Sequence, residues 1–147
     1  MDTPIKIKKL RDNAQIPQYQ TAGAAGADLV FAPENRHAVA MLDPTDRFLL
    51  ETGLSVEIPP GYEIQIRPRS GLANKYGVTV LNTPGTIDSD YRGEIKVLLV
   101  NLGDTPAIIN PGDRIAQMVV AMVPRAMFVE TELEDSVRGT GGFGSTG

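Results

Sequence analysis

No cysteine occurs among the 147 residues, so the chain can form neither a disulfide framework nor a thiolate metal site, and extracellular stapling is excluded. Histidine is almost as scarce. The single His37 has no second histidine or nearby cysteine to complete a metal site, and it reads as an exposed loop residue between Pro33 and Pro44. No apolar run approaches the roughly 18 residues of a membrane span, and residues 1–10 alternate lysine with isoleucine where a signal peptide would carry an apolar core. The chain is therefore expected to be soluble, untargeted and cytoplasmic, with no membrane partner. A net charge of -4 withholds the basic face that nucleic-acid binding calls for, so no nucleic-acid partner is expected and any anion must be held locally.

What is present is punctuation. Fifteen glycines and eleven prolines beside only 5% aromatics point to many turns. No repeat period or heptad is visible, and the length suits one domain with a core large enough to stand without staples. Between the turns lie short strand candidates at residues 5–8, 27–31, 47–51, 54–58, 62–67, 78–81, 94–101 and 114–123. Alternation is clearest at 62–67, where Tyr62, Ile64 and Ile66 face a core and Glu63, Gln65 and Arg67 face outward. The run Val97-Leu98-Leu99-Val100 is apolar on both faces and demands burial on both. Residues 114–123 are apolar on both faces apart from Arg114 and Gln117, which suggests that one face meets another subunit.

The polar residues that interrupt these runs are the candidates for chemistry. The stretch Gly85-Thr86-Ile87-Asp88-Ser89-Asp90-Tyr91-Arg92-Gly93-Glu94-Ile95 is expected to form a hairpin with an Asp-Ser-Asp tip. Ile87 and Tyr91 would place Asp88 at a pocket edge, where a carboxylate can orient and deprotonate a water. Asp28 opens a short strand after a small, glycine-rich approach; it can meet a metal-held water or pair with an arginine. In Pro68-Arg69-Ser70-Gly71-Leu72-Ala73, Ser70 can cap a short helical turn, Gly71 exposes backbone N–H groups, and Arg69 can fork onto phosphate oxygens. An ordinary capped turn fits that sequence equally well. Asn82 offers a donor and an acceptor suited to a base edge, or simply forms a turn. Gln117 is either a satisfied core amide or a ligand to something polar. The ending Arg138-Gly139-Thr140-Gly141-Gly142-Phe143-Gly144-Ser145-Thr146-Gly147 has the composition of a disordered tail, which is also that of a flap able to close on an anion and a base.

In this order, Ala25-Gly26-Ala27-Asp28-Leu29, Pro68 to Ala73, Gly85 to Ile95, Gly112-Asp113-Arg114-Ile115-Ala116-Gln117 and the C-terminal run resemble the five motifs of the trimeric dUTPases over nearly the whole chain. The resemblance implies an all-β, jelly-roll-like β-barrel at residues 1–137 with a flexible arm at 138–147. It implies a homotrimer with active sites at subunit interfaces, and Mg²⁺-dependent conversion of dUTP to dUMP and pyrophosphate. It makes Asp88 the base that activates the attacking water and Arg138 the stabiliser of phosphate charge. Asn82, Gly85 and Ile87 would read uracil while Tyr91 packs under the deoxyribose. Arg69, Ser70, Gly71 and Gln117 would hold phosphates. Phe143 would cover uracil as Gly144, Ser145 and Thr146 close on the γ-phosphate. Asp28 would contact the Mg²⁺ water shell. Leu50-Glu51-Thr52-Gly53 departs from the family pattern, which often places proline before the Thr-Gly pair. A dCTP deaminase-like enzyme and a catalytically idle nucleotide-binding regulator are the competing readings. Asp88-Ser89-Asp90-Tyr91 and the complete C-terminal motif weigh against the first, intact Asp88 and Arg138 against the second.

Overall fold

The computed structural model describes residues 3–145. Eleven short strands and one helix are wrapped about one apolar core among these residues, in four antiparallel sheets. Strand β1 (Lys6–Lys9) pairs with β5 (Leu54–Glu57), and β3 (Ala40–Leu42) with β10 (Ala107–Ile109). A four-stranded sheet runs β2 (Ala27–Val30), β11 (Arg114–Met122), β6 (Tyr62–Arg67), β8 (Gly85–Ile87). A three-stranded sheet runs β4 (Arg47–Glu51), β9 (Lys96–Asn101), β7 (Val78–Val80).

Alternation accounts for most of the packing. Ile64 and Ile66 of β6 are buried while Arg67 is exposed, and β9 lies between two partners with Val97, Leu99 and Val100 all buried. Each fully buried Leu or Ile of this kind contributes roughly 1.5–3 kcal/mol over its exposed state. Three polar residues, Thr52, Ser55 and Asn101, are buried with the core. Asn101 is fully buried, and its amide donates to Leu42 O (2.9 Å) and Thr105 O (2.8 Å) and accepts from Gly103 N (2.9 Å). That triple use satisfies the group and ties the end of β9 to β3 and to the loop before β10.

Two expectations are corrected, and two strands appear that the sequence pattern did not show. Residues 85–95 do not form a hairpin: β8 pairs with β6, whereas β9 pairs with β4 and β7, so the segment between them arches from one sheet to another. Both hydrogen-bonding edges of β9 are taken by β4 and β7, so none is left for β8. Ser70 is not a cap; it is the first residue of helix α1 (Ser70–Tyr76), and Arg69 holds the N-cap position without a side-chain cap bond. Strands β3 and β10 emerge from stretches with too few residues to show a period. His37 is exposed in its loop as expected.

The turn that matters most stands at the start of β11. Gly112 adopts φ 88 in the Asn110-Pro111-Gly112-Asp113 turn, and its N–H donates to Phe31 O (2.7 Å) while Phe31 N donates to Asp113 O (2.8 Å). The start of β11 is thereby locked beside the end of β2. After Met122 no strand or helix occurs among the described residues, and Met127, Phe128, Val129 and Leu133 are all largely exposed.

Candidate active site

The first cluster forms where β2, β11 and the end of β6 meet. Gln117 lies opposite Asp28 on one side and Arg67 on the other. Asp28, only 14% exposed, accepts from Arg69 Nε at Oδ1 and from Arg114 Nη1 at Oδ2, each at 3.1 Å. One carboxylate thus aims two guanidiniums. Arg69 also donates to Arg114 O (3.4 Å). A register shift between Arg114 and Ala116 lets Arg114 reach this cluster while Ile115 and Ala116 remain buried. Gln117 Nε2 donates to Pro68 O (3.0 Å), fixing the chain just before Arg69. Gly26 is required by that geometry, because a Cβ there would collide with Gln117 Oε1. Ser70 and Gly71 follow on the exposed first turn of α1, with open space where a Gly71 Cβ would point.

The second cluster is the arch after β8. Asn82 packs against Gly85, where a Cβ would meet Asn82 Nδ2 at 3.3 Å and Ile66 Cβ at 3.4 Å. Ile87, Asp88 and Tyr91 line a pocket of about 340 Å³ together with Leu49, Thr86, Glu94 and Lys96. Asp88 also borders a second hollow of about 440 Å³ with Ser89, Asp90, Tyr62 and Arg125. Its carboxylate is exposed and joins no ion pair among the described residues. Both clusters share one sheet, since Gly85 pairs with Ile66, one strand position before Arg67. The Asp88 half thus offers an unpaired carboxylate, and the Asp28 half two guanidiniums able to meet an anion.

The described part of the arm, residues 138–145, hydrogen-bonds to neither cluster within one chain. Arg138 Nε donates to Gly141 O (2.9 Å), and Phe143 is fully exposed, with Gly144 and Ser145 in the turn that follows. Thr146 lies outside the described residues. Arg114 is the residue that reading the sequence missed. Its signal was its place three residues before Gln117 on the same strand, but only the bulge turns it toward Asp28.

Comparison with known proteins gives this arrangement its family. The family model described as dUTPase matches residues 12–147. The chain belongs to the dUTPase family. A deoxyuridine 5'-triphosphate nucleotidohydrolase of Chlamydia trachomatis serovar L2 is 57% identical over 141 residues, 95% of each chain. One of Hydrogenobaculum sp. is 56% identical over 142 residues, 96% of each. Among solved structures, the dUTPase of Staphylococcus bacteriophage 80alpha with dUPNHPP superposes with a TM-score of 0.83 at 27% identity, over 98% of both chains. The dUTPase of phage phi11 of S. aureus, described as coordinating a structural Mg(II) ion, shares the fold at a TM-score of 0.78 and 23% identity, covering 90% of this chain and 99% of that one. The dUTPase-family match takes in both clusters and the C-terminal run, and it makes the chain a hydrolase with the family's jelly-roll β fold.

Proposed function

We propose that this chain hydrolyses dUTP to dUMP and pyrophosphate, limiting uracil in DNA and supplying dUMP for thymidylate synthesis. The observation that carries the proposal is the placement, about one sheet, of two arginines aimed by a half-buried aspartate beside an exposed aspartate at a pocket edge that has no ion pair among the described residues. Asp88 orients the attacking water and accepts its proton as the water reaches the α-phosphorus. Its contribution comes mainly from alignment of that water. Arg69, Ser70 and Gly71 hold phosphates, and Gln117 joins them through its second amide N–H while the first stays on Pro68 O. Asn82, Gly85 and Ile87 read uracil, and Tyr91 walls the deoxyribose.

Residues 1–137 form the core in this reading, and 138–147 the arm. Arg138 stabilises charge on the phosphates, Phe143 covers the base, and Gly144, Ser145 and Thr146 close on the γ-phosphate. The exposed Met127, Phe128, Val129 and Leu133 need cover that one chain does not give, which favours a homotrimer with sites between subunits. A solution mass of about three times 15.8 kDa is the expected result of light scattering.

The donor set suits Mg²⁺ that arrives on the substrate. Among the described residues no three His, Cys, Asp or Glu side chains gather into a metal cage. Mg²⁺ in nucleotide sites keeps several waters and relies on phosphate oxygens and one or two carboxylates. Each Asp28 oxygen already accepts an arginine N–H and retains a lone pair for a metal-held water. Bound in that way, Mg²⁺ supplies charge neutralisation on the triphosphate. The test is pyrophosphate release with Mg²⁺ from dUTP, dCTP, dTTP and UTP, with ammonia followed in parallel. Pyrophosphate from dUTP alone is expected; ammonia from dCTP, or silence with all four, defeats the proposal.

A further inference from the structure

Residues 88–95 lie outside every strand, so their position depends on how the end of the arch is docked. Thr52 Oγ1 donates to Ile95 O (2.6 Å), Ile95 N to Leu54 O (2.8 Å) and Ser55 Oγ to Arg92 O (2.7 Å). The most polar part of the dock is Glu94. Its Oε1 accepts from Arg11 Nη1 (2.8 Å), Arg11 Nη2 (2.7 Å) and Gly53 N (2.7 Å), with the Arg11 and Glu94 side chains only 18% and 13% exposed. Gly53 adopts φ 67, and a Cβ there would meet Ala14 Cβ at 2.7 Å and Arg11 Cγ at 3.1 Å, so the arginine stem needs glycine beneath it.

From Glu94 the chain of contacts leads to the pocket. Tyr91 OH donates to Glu94 O (3.0 Å), and a Cβ at Gly93 would collide with that hydroxyl. The Tyr91 ring is thus latched to the backbone of the residue whose side chain Arg11 clamps. It is also a wall of the pocket that Asp88 and Ile87 line, whereas Arg11 does not line that pocket.

We propose that Arg11 and Glu94 are a positioning pair that fixes the Tyr91 ring and through it the enzyme's choice of a 2′-deoxy over a 2′-hydroxy sugar. The proposal rests on the reading of Tyr91 as the sugar wall. Without the guanidinium, the enclosed Glu94 carboxylate loses its countercharge and turns toward solvent, and the latch moves with it. A shift of a few tenths of an ångström then opens room for a hydroxyl that the pocket otherwise rejects.

The experiment measures kcat and KM for dUTP and UTP in the wild-type protein and in Arg11→Ala, Arg11→Lys and Glu94→Gln. In Arg11→Ala the dUTP-to-UTP ratio of kcat/KM is expected to fall on the order of tenfold, with KM for dUTP rising more than its kcat falls. Arg11→Lys, which keeps the charge but not the fork, should recover part of the ratio. General destabilisation removes active protein equally for both substrates and cancels in the ratio. Should Arg11→Ala fail to fold, Glu94→Gln carries the test, because it retains an acceptor for Gly53 N while losing the charge. A wild-type ratio in the folded variants overturns the positioning role. A wild-type protein with no preference for dUTP over UTP overturns the underlying reading of the pocket instead.

Discussion

Two aspartates, Asp28 and Asp88, occupy opposite ends of the same sheet region and are treated by the fold in opposite ways. Asp28 is enclosed on a strand, with a guanidinium on each oxygen. Asp88 follows a three-residue strand, exposed, between two hollows. A carboxylate whose two oxygens each accept from a guanidinium serves as a frame, whereas one without an ion pair can turn both oxygens to a water. Burial and partners, rather than residue type, divide the labour between the two.

Asp88→Asn tests the division most severely. The amide preserves shape and removes basicity, so kcat should fall about 10²–10⁴-fold while dUTP still binds. Because the side chain is exposed, stability should change by no more than about 0.5 kcal/mol. Pyrophosphate release, calorimetric titration and thermal melting together check all three statements, and near-normal turnover would remove Asp88 from the chemistry. Ending the chain after Val137 should lower kcat about 10²-fold, by loss of Arg138 and the closing groups, with an unchanged melting temperature. A truncated protein that melts earlier would show that the arm belongs to the core.

Much of this contrast was legible beforehand. Tyr62–Arg67 is read correctly because its alternation is complete, and Arg47–Glu51 because turns flank it. Ala40–Leu42 and Ala107–Ile109 are not, since three residues hold barely one period. Glycine and aspartate in the 85–95 stretch correctly signal a bend, but a hairpin and an arch share those residues; only the partner of β9 separates them. Site residues follow the same rule. Asp28 and Arg69 stand out through the resemblance, yet their ion pair and the part played by Arg114 depend on a strand pairing and a bulge that no local pattern encodes. Arg11 is farther still from notice, 83 residues from Glu94 in the chain.

Asp28→Asn sharpens the comparison from the other side. It leaves both arginines in place beside a neutral acceptor, whose amide N–H₂ cannot accept from one of them. Since the Arg69 and Arg114 side chains are 26% and 49% exposed, water relieves part of the loss. The expected cost is about 1–3 kcal/mol of stability and roughly a tenfold fall in kcat/KM, mostly through KM. The pattern should thus mirror that of Asp88→Asn, which affects turnover and spares stability. If Asp28→Asn instead abolished turnover without altering the melt, the two carboxylates would share the chemistry.

The smallest expected effect comes from Gly26→Ala, and it probes whether the frame is tuned as closely as the geometry implies. The new methyl group falls where Gln117 Oε1 now lies, and the end of a glutamine side chain can move aside. In doing so it gives up its bond to Pro68 O, so the cost should be that of one hydrogen bond, about 1 kcal/mol. Phosphate binding should weaken by roughly tenfold or less as Arg69 loses its fixed approach. Gln117→Ala removes the obstacle, so Gly26→Ala in that background should cost little further. A coupling of about 1 kcal/mol in the double-mutant cycle would tie the glycine to the amide, whereas additivity would mean that Gly26 serves the backbone alone.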